Sequence, residues 1–158
     1  MGGKGSRGAP TEMTRARTQK ALTPALGRRA PRAASRRVSV LIVDDDESIR
    51  DALADVLGDE GFEVLSAPNG QAALDLLSGR AVDVIVLDVL MPVMDGLAFL
   101  VARAGIAGVV SIPVILVTAT PEDDVRRDLR GQDVKLPLLR KPFTSDVLIA
   151  MVRAATCP

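Results

Sequence analysis

Histidine, tryptophan and tyrosine are absent from this 158-residue chain. Without histidine, the chain cannot hold a histidine base in a catalytic triad, a histidine-ligated zinc ion or a phosphohistidine. Aromatic residues amount to only 2 % of the chain, whereas apolar residues reach 47 %. We therefore predict a core built from valine, leucine, isoleucine and alanine.

Cysteine is limited to Cys157, which lies beside the last residue. A single thiol cannot form an internal disulfide, which fits a reducing compartment. Apolar runs are also short, and none reaches the roughly 18 residues that a membrane-spanning helix needs. We therefore expect a cytoplasmic protein without a membrane span.

Charge is distributed unevenly, although the net charge is zero. Residues 1–37 contain ten lysines and arginines and one acid, Glu12, which gives a net charge of +9. Residues 38–158 contain ten basic and nineteen acidic residues, which gives −9. The first segment has few large apolar side chains, so we predict a disordered basic tail over residues 1–37 and a folded domain over residues 38–156.

The function of the tail stays open at this point. It is either an extension without a function, an arm that contacts nucleic acid or an anionic membrane, or a targeting segment. We expect no nucleic-acid binding except through this tail.

The domain alternates short β-branched runs with amphipathic segments. The apolar run from Val84 to Leu87 ends abruptly at Asp88, as in a strand buried on both faces of a parallel sheet. Pro137 lacks a backbone donor and places the weak fifth strand at an edge. The predicted strands cover residues 38–43, 63–67, 84–88, 114–118 and 136–140.

Helices are predicted between and after these strands. They begin near Ser48, after Asn69-Gly70, near Asp95, at Pro121, and at Thr144 or Ser145. The third helix is expected to turn one apolar face inward, formed by Leu97, Leu100, Val101 and Ala104. The last helix is expected to bury Val147, Leu148, Met151 and Val152.

Five strands that alternate with five helices predict a doubly wound α/β fold with a parallel sheet and right-handed crossovers. In such folds, ligands bind at the carboxyl ends of the strands. The residues at those ends are Asp44, Asp45, Asp88, Thr118 and Lys141.

These side chains predict phosphoryl chemistry. Clustered carboxylates repel one another, and oxygen ligands without histidine or cysteine favour Mg²⁺. A carboxylate can attack phosphorus, while a cation and a hydroxyl stabilise the transferred group. We therefore predict phosphoryl transfer onto Asp88, with Asp46 and Glu47 as a helix start rather than as ligands. The plainer alternatives are that Asp44 and Asp88 cap helices and that Thr118 only ends a strand.

Four sequence landmarks together resemble a response-regulator receiver domain over residues 38–156. They are V-D-D-D after the first strand, L-D-V-L-M-P-V-M-D-G after the third, V-T-A after the fourth and K-P-F after the fifth. The resemblance implies a flavodoxin-like fold with strand order 2-1-3-4-5. It also implies that Asp88 accepts a phosphoryl group from a sensor histidine kinase or a histidine phosphotransfer protein. The chain would then be a regulatory phosphoacceptor rather than an enzyme with a separate substrate.

The same resemblance assigns roles to single residues. Thr118 would be the switch hydroxyl, Lys141 would pair with the phosphoryl group, and the peptide before Pro142 would be cis. The implied Mg²⁺ ligands are Asp45, Asp44 through a water molecule, Asp88 and the carbonyl of Leu90.

The chain departs from the family pattern at several positions. Leu138 stands where members usually carry a tyrosine or phenylalanine, residues 131–139 are atypical, and the fourth helix looks short. Leu90 offers no hydrogen bond to an attacking water, so we expect slow self-dephosphorylation.

Alternative functions follow from the same residues. The chain ends soon after the last helix, so we expect a stand-alone receiver that docks an unknown downstream protein when phosphorylated. It would otherwise be a phosphorelay shuttle, or a pseudo-receiver that acts as a scaffold. A Mg²⁺-dependent phosphatase of the haloacid-dehalogenase type is disfavoured, because Val89 and Leu90 follow Asp88 where that class needs D-x-D.

Overall fold

The structure is a computed structural model that describes residues 36–129 and 136–157. Most of the predicted tail and residues 130–135 lie outside the described residues. None of the helices in the described part is long and apolar enough to cross a membrane. The elements are β1 (Ser39–Val43), α1 (Glu47–Asp59), β2 (Glu63–Ala67), α2 (Gly70–Leu77), β3 (Val84–Asp88), α3 (Gly96–Ala104), β4 (Val114–Thr118), α4 (Glu122–Asp128), β5 (Leu138–Arg140) and α5 (Ser145–Thr156).

The five strands form one parallel sheet in the order β2-β1-β3-β4-β5, which confirms the predicted fold and strand order. β5 is an edge strand, as predicted, but it is two residues shorter at its start than the predicted 136–140. Pro137 has no N–H to donate, and only its carbonyl joins the sheet, by accepting a hydrogen bond from Leu116 at 2.9 Å.

The core is aliphatic and lies on both faces of the sheet. Alternate residues of the strands face opposite sides, so that Leu41 and Val43 join one cluster and Val40 and Ile42 join the other. The first cluster contains residues of α2, α3 and α4, and the second contains residues of α1 and α5. Burial on both faces explains why β1, β3 and β4 read as continuous apolar runs.

Side-chain caps begin three of the helices. Asp46 accepts from the N–H groups of Ser48 and Ile49, Asn69 accepts from Ala72, and Asp95 accepts from Ala98. Each bond satisfies a backbone donor that the first helical turn leaves unpaired. The prediction that Asp46 belongs to a helix start is confirmed.

The predicted inward faces of α3 and α5 were partly wrong. Leu100 is buried as predicted, but Val101 is 61 % exposed and Ala104 is also exposed. The other buried residues of α3 are Gly96, Phe99 and Arg103. Phe99 is fully buried, and Arg103 can be buried because its guanidinium donates to backbone carbonyls of the loop that follows the helix. In α5, Val147 is 46 % exposed and Ile149 takes its place in the core.

Candidate functional site

The carboxyl ends of β1, β3, β4 and β5 meet at one edge of the sheet, and the predicted site lies there. The parallel register aligns Val43 with Leu87 and Asp88 with Val117, so the residues that follow each strand emerge side by side. Lys141 extends the last pairing, since its N–H donates to the Thr118 carbonyl at 2.9 Å.

Asp88 is the last residue of β3 and is only 8 % exposed. Its Oδ1 accepts from the N–H of Leu90 at 3.2 Å, and its Oδ2 accepts from Lys141 Nζ at 2.7 Å. Burial raises the pKa of Asp88, because desolvation outweighs the opposing effects of the Lys141 ammonium. The carboxylate is therefore partly withdrawn from water and held from two sides.

Lys141 bridges two carboxylates. Its Nζ lies 2.7 Å from Asp88 Oδ2 and 2.7 Å from Asp44 Oδ2. Burial alone would lower the pKa of Lys141, but the hydrogen bonds and charges of Asp44 and Asp88 raise it above the ordinary lysine value. The side chain is thus an ammonium at neutral pH. The peptide between Lys141 and Pro142 is cis, as the family resemblance implied.

Asp44, Asp45 and Asp88 form a three-carboxylate cluster. One oxygen from each lies within 4.8 Å of the others. Asp44 and Asp88 are buried, whereas Asp45 is exposed and gives the cluster an open side. The donor set contains only carboxylate oxygens, which fits a hard divalent cation such as Mg²⁺ and not a zinc site.

Leu90 and Thr118 complete the set of predicted site residues. The Leu90 side chain is 64 % exposed, while its backbone stays next to the phosphoacceptor candidate through the hydrogen bond to Asp88. Thr118 is fully buried, and its Oγ1 accepts from the N–H of Thr120 at 3.0 Å. Thr118 lies at the site edge of β4, one residue beyond the residue that pairs with Asp88.

Leu138 lies on β5 and is half-buried. It pairs with Leu116 of β4 and packs against the cluster that contains residues of α2 and α3. An aliphatic side chain therefore occupies the position at which the sequence was noted to depart from the family pattern.

Two residues of the site region escaped the sequence analysis. Arg50, in the first half of α1, donates through Nη1 to the carbonyl of Asp44 at 2.8 Å. Gly96 packs against the backbone of Asp88 and leaves no room for a Cβ. A side-chain bond from a helix to the backbone of the loop before it, and a backbone–backbone approach, leave no periodic pattern in a sequence. The start of the helix near Asp95 was nevertheless predicted.

The loop between β3 and α3 contains a strained residue. Val93 has a φ of 69° and is 85 % exposed. The N–H of Met94 donates to the carbonyl of Pro92 at 2.8 Å, which closes a γ-turn around Val93. Few β-branched residues adopt a positive φ, since their Cβ crowds the backbone.

Comparison with known proteins gives one consistent family. Residues 40–153 match the model of the response regulator receiver domain. The chain is 37 % identical over 118 residues to the response regulator MprA of Mycolicibacterium vanbaalenii, a match that covers 74 % of this chain and 49 % of the relative. It is 36 % identical over 118 residues to the response regulator MprA of Mycobacterium tuberculosis, which covers 74 % of this chain and 50 % of that protein. The chain thus spans about half the length of the curated relatives it matches.

Solved structures show the same likeness. The chemotaxis protein CheY4 of Vibrio cholerae superposes with a TM-score of 0.70 at 30 % identity, covering 75 % of this chain and 98 % of that one. The signal receiver domain of a signal transduction histidine kinase from Syntrophus aciditrophicus gives a TM-score of 0.67 at 34 % identity, covering 75 % and 89 %.

Proposed function

Because this chain belongs to the response-regulator receiver family of two-component signalling, we propose that Asp88 accepts a phosphoryl group from a sensor histidine kinase or a histidine phosphotransfer protein. The observation that carries this proposal is the Lys141 ammonium, 2.7 Å from the Asp88 and Asp44 carboxylates, beside the open carboxylate of Asp45. Such a site holds a nucleophile and positive charge within reach of one transferring group.

The transfer breaks a phosphorus–nitrogen bond in the donor and forms a phosphorus–oxygen bond to Asp88. The departing imidazole keeps the electron pair of the broken bond and is neutralised by a proton. Lys141 remains close enough to pair with the transferred phosphoryl oxygens. The attack requires Asp88 as an ionised carboxylate, and the Lys141 ammonium 2.7 Å away favours that form against the burial that raises the pKa of Asp88.

Asp44, Asp45, Asp88 and the Leu90 carbonyl are the groups that would hold Mg²⁺. When bound, Mg²⁺ offsets the mutual repulsion of the carboxylates and the charge of the phosphoryl oxygens. The exposed side of Asp45 leaves room for a phosphodonor to approach.

The response to phosphorylation is proposed to begin at Thr118 and Lys141, which are joined by the hydrogen bond from the Lys141 N–H to the Thr118 carbonyl. Leu138 has no ring that can change its position. The signal would therefore reach a downstream protein through movements of the hydroxyl, the ammonium and the neighbouring backbone, and the phosphorylated form would dock that protein.

The test is incubation of the full chain with acetyl phosphate and Mg²⁺, followed by intact-mass measurement. We expect one added phosphoryl group on the wild type and none on Asp88→Asn. Asp75→Asn is the matched control, since Asp75 is an exposed carboxylate on α2, and it should be labelled like the wild type. The proposal would be refuted if Asp88→Asn were labelled as much as wild type. It would also be refuted if the wild type stayed unlabelled when a cognate kinase was added as the phosphodonor.

A further inference from the structure

Arg50 is the only basic residue of α1, and it contacts the backbone of the acid cluster. Its Nη1 donates to the Asp44 carbonyl at 2.8 Å, and its own N–H donates to the Asp46 carbonyl at 3.0 Å. Within residues 36–129 and 136–157, Arg50 forms no ion pair, although acidic residues flank it in sequence. Its guanidinium donates a hydrogen bond to a backbone carbonyl and does not pair with a carboxylate.

Within the part of the chain that the structure describes, four hydrogen bonds hold Asp44. Its N–H donates to Ala67 at 3.2 Å, and its Oδ1 and Oδ2 accept from the Asp46 N–H at 2.9 Å and from Lys141 at 2.7 Å. In the fourth, the carbonyl accepts from Arg50. Among these four bonds, the one to Arg50 is the only one that ties Asp44 to the body of α1.

The carbonyl of Asp44 lies in the same rigid peptide plane as the N–H and Cα of Asp45. A bond that fixes this carbonyl therefore also fixes the direction in which the Asp45 side chain leaves the backbone. The Asp45 carboxylate is exposed and needs such support, because no buried packing holds it.

We propose that Arg50 is a positioning residue that orients the Asp44–Asp45 peptide so that both carboxylates converge with Asp88. It acts through the carbonyl of Asp44 and touches none of the reacting atoms. The consequence for Mg²⁺ rests on the proposed function, in which the three carboxylates hold that ion.

The charge of Arg50 and its hydrogen bond to Asp44 predict opposite changes in Mg²⁺ affinity when Arg50 is replaced. A cation near three carboxylates repels Mg²⁺, so its removal would tighten Mg²⁺ binding if charge alone mattered. Loss of the hydrogen bond releases the peptide and should weaken binding, because groups that orient metal ligands typically contribute about 10–100-fold to metal affinity. The sign of the change therefore separates the two explanations.

The first experiment is calorimetric titration of the full chain with Mg²⁺. We expect Arg50→Met to bind Mg²⁺ about tenfold more weakly than wild type. Arg50→Lys should recover most of this loss, since a single N–H donor is enough for one carbonyl. Arg153→Met is the control, because Arg153 pairs with Glu60 just beyond the other end of α1. Unchanged or tighter binding by Arg50→Met would overturn the inference.

The second experiment needs no metal. Amide hydrogen exchange, followed by NMR, should show faster exchange at Asp44 and Asp46 in metal-free Arg50→Met than in wild type. Unchanged exchange at both amides would overturn the role of Arg50, whatever the titration shows. Failure of the wild type to bind Mg²⁺ would instead count against the proposed function, while the exchange result still decides whether Arg50 holds this peptide.

Discussion

Gly96 lies directly against the backbone of Asp88. A Cβ at position 96 would come closer to the Asp88 carbonyl oxygen than real Cβ atoms approach, and it would lie 3.0 Å from Val89 Cα. The N–H of Gly96 also donates to the Val89 carbonyl at 2.9 Å. The start of α3 is thus docked onto the end of the strand that carries the candidate phosphoacceptor.

Gly96→Ala should destabilise the domain, because the obstacle is backbone and cannot rotate away. We expect the free energy of unfolding to fall by about 1–3 kcal/mol, as measured by urea denaturation. Gly58→Ala is the control, since position 58 lies in α1 with open space around it, and it should gain about 0.5–1 kcal/mol. Equal stability of Gly96→Ala and wild type would contradict the close approach.

Lys141→Met removes the ammonium that Asp44 and Asp88 share. The two carboxylates are then left without their cation, and we expect a loss of about 2–3 kcal/mol in the free energy of unfolding. Added Mg²⁺ should raise the melting temperature of this variant more than that of wild type, because the ion offsets the same repulsion. A smaller Mg²⁺ effect in the variant would argue against a shared site.

Leu90→Asn should shorten the lifetime of the phosphorylated protein. Leu90 exposes 64 % of its surface beside Asp88 and offers no hydrogen bond to water. An amide at this position can orient the attacking water, so we expect a several-fold shorter half-life in a phosphoryl-release assay. Val101→Asn, an equally exposed apolar position on α3, serves as the control and should keep the wild-type half-life.

Arg103→Met should loosen the connection between α3 and β4. Arg103 donates to the Ile112 carbonyl at 2.8 Å and to the Val109 and Val110 carbonyls at 3.4 Å. Methionine keeps the packing of the stem but leaves these acceptors unpaired, so we expect a loss of about 1–3 kcal/mol. Removal of the desolvated charge, whose burial lowers the pKa of Arg103, offsets part of the effect.

The measurement for Arg103→Met is urea denaturation together with amide exchange over residues 105–112. Arg126→Met is the control, because its ion pair with Glu122 is exposed and should contribute less than about 1 kcal/mol. If both variants lost the same small free energy of unfolding, the buried hydrogen bonds of Arg103 would make no measurable contribution to stability.

Val93→Asn should stabilise the loop between β3 and α3. Asparagine tolerates a φ of 69° better than valine does, and the side chain is 85 % exposed, so little packing is lost. We expect a gain of about 1 kcal/mol in thermal or urea unfolding. A loss of stability would show that the valine side chain makes contacts that outweigh its strain.

The fold could be predicted because its strands carry their own signal. β3 and β4 were placed at their observed residues because short β-branched runs end at Asp88 and Thr118. β2 was also placed at its observed residues. The gathering of Asp44, Asp88 and Lys141 followed from parallel strands that end at one edge.

The inward face of α3 could not be predicted from periodicity. Leu100 belongs to two possible inward faces of α3, one that includes Val101 and one that includes Arg103. The face with Val101 is the more apolar of the two in sequence. The choice depends on the space that the fold provides for Phe99 and on the carbonyls that the next loop offers to Arg103, both of which are properties of the folded chain. Arg50 and Gly96 were missed for the same reason, because each contacts the backbone of a residue outside its own helix, and such a contact exists only in the folded chain.

The hydrogen bond between Gly96 and Val89 limits how the length of the loop between β3 and α3 can vary. The hydrogen bond and the close approach of Gly96 to Asp88 join the two ends of the segment 89–95, so its length is constrained. Pro92 and Val93 face solvent and tolerate replacement on packing grounds. Insertion or deletion of one residue in this segment would break the contact between the start of α3 and the end of β3, even if every side chain of the site were retained.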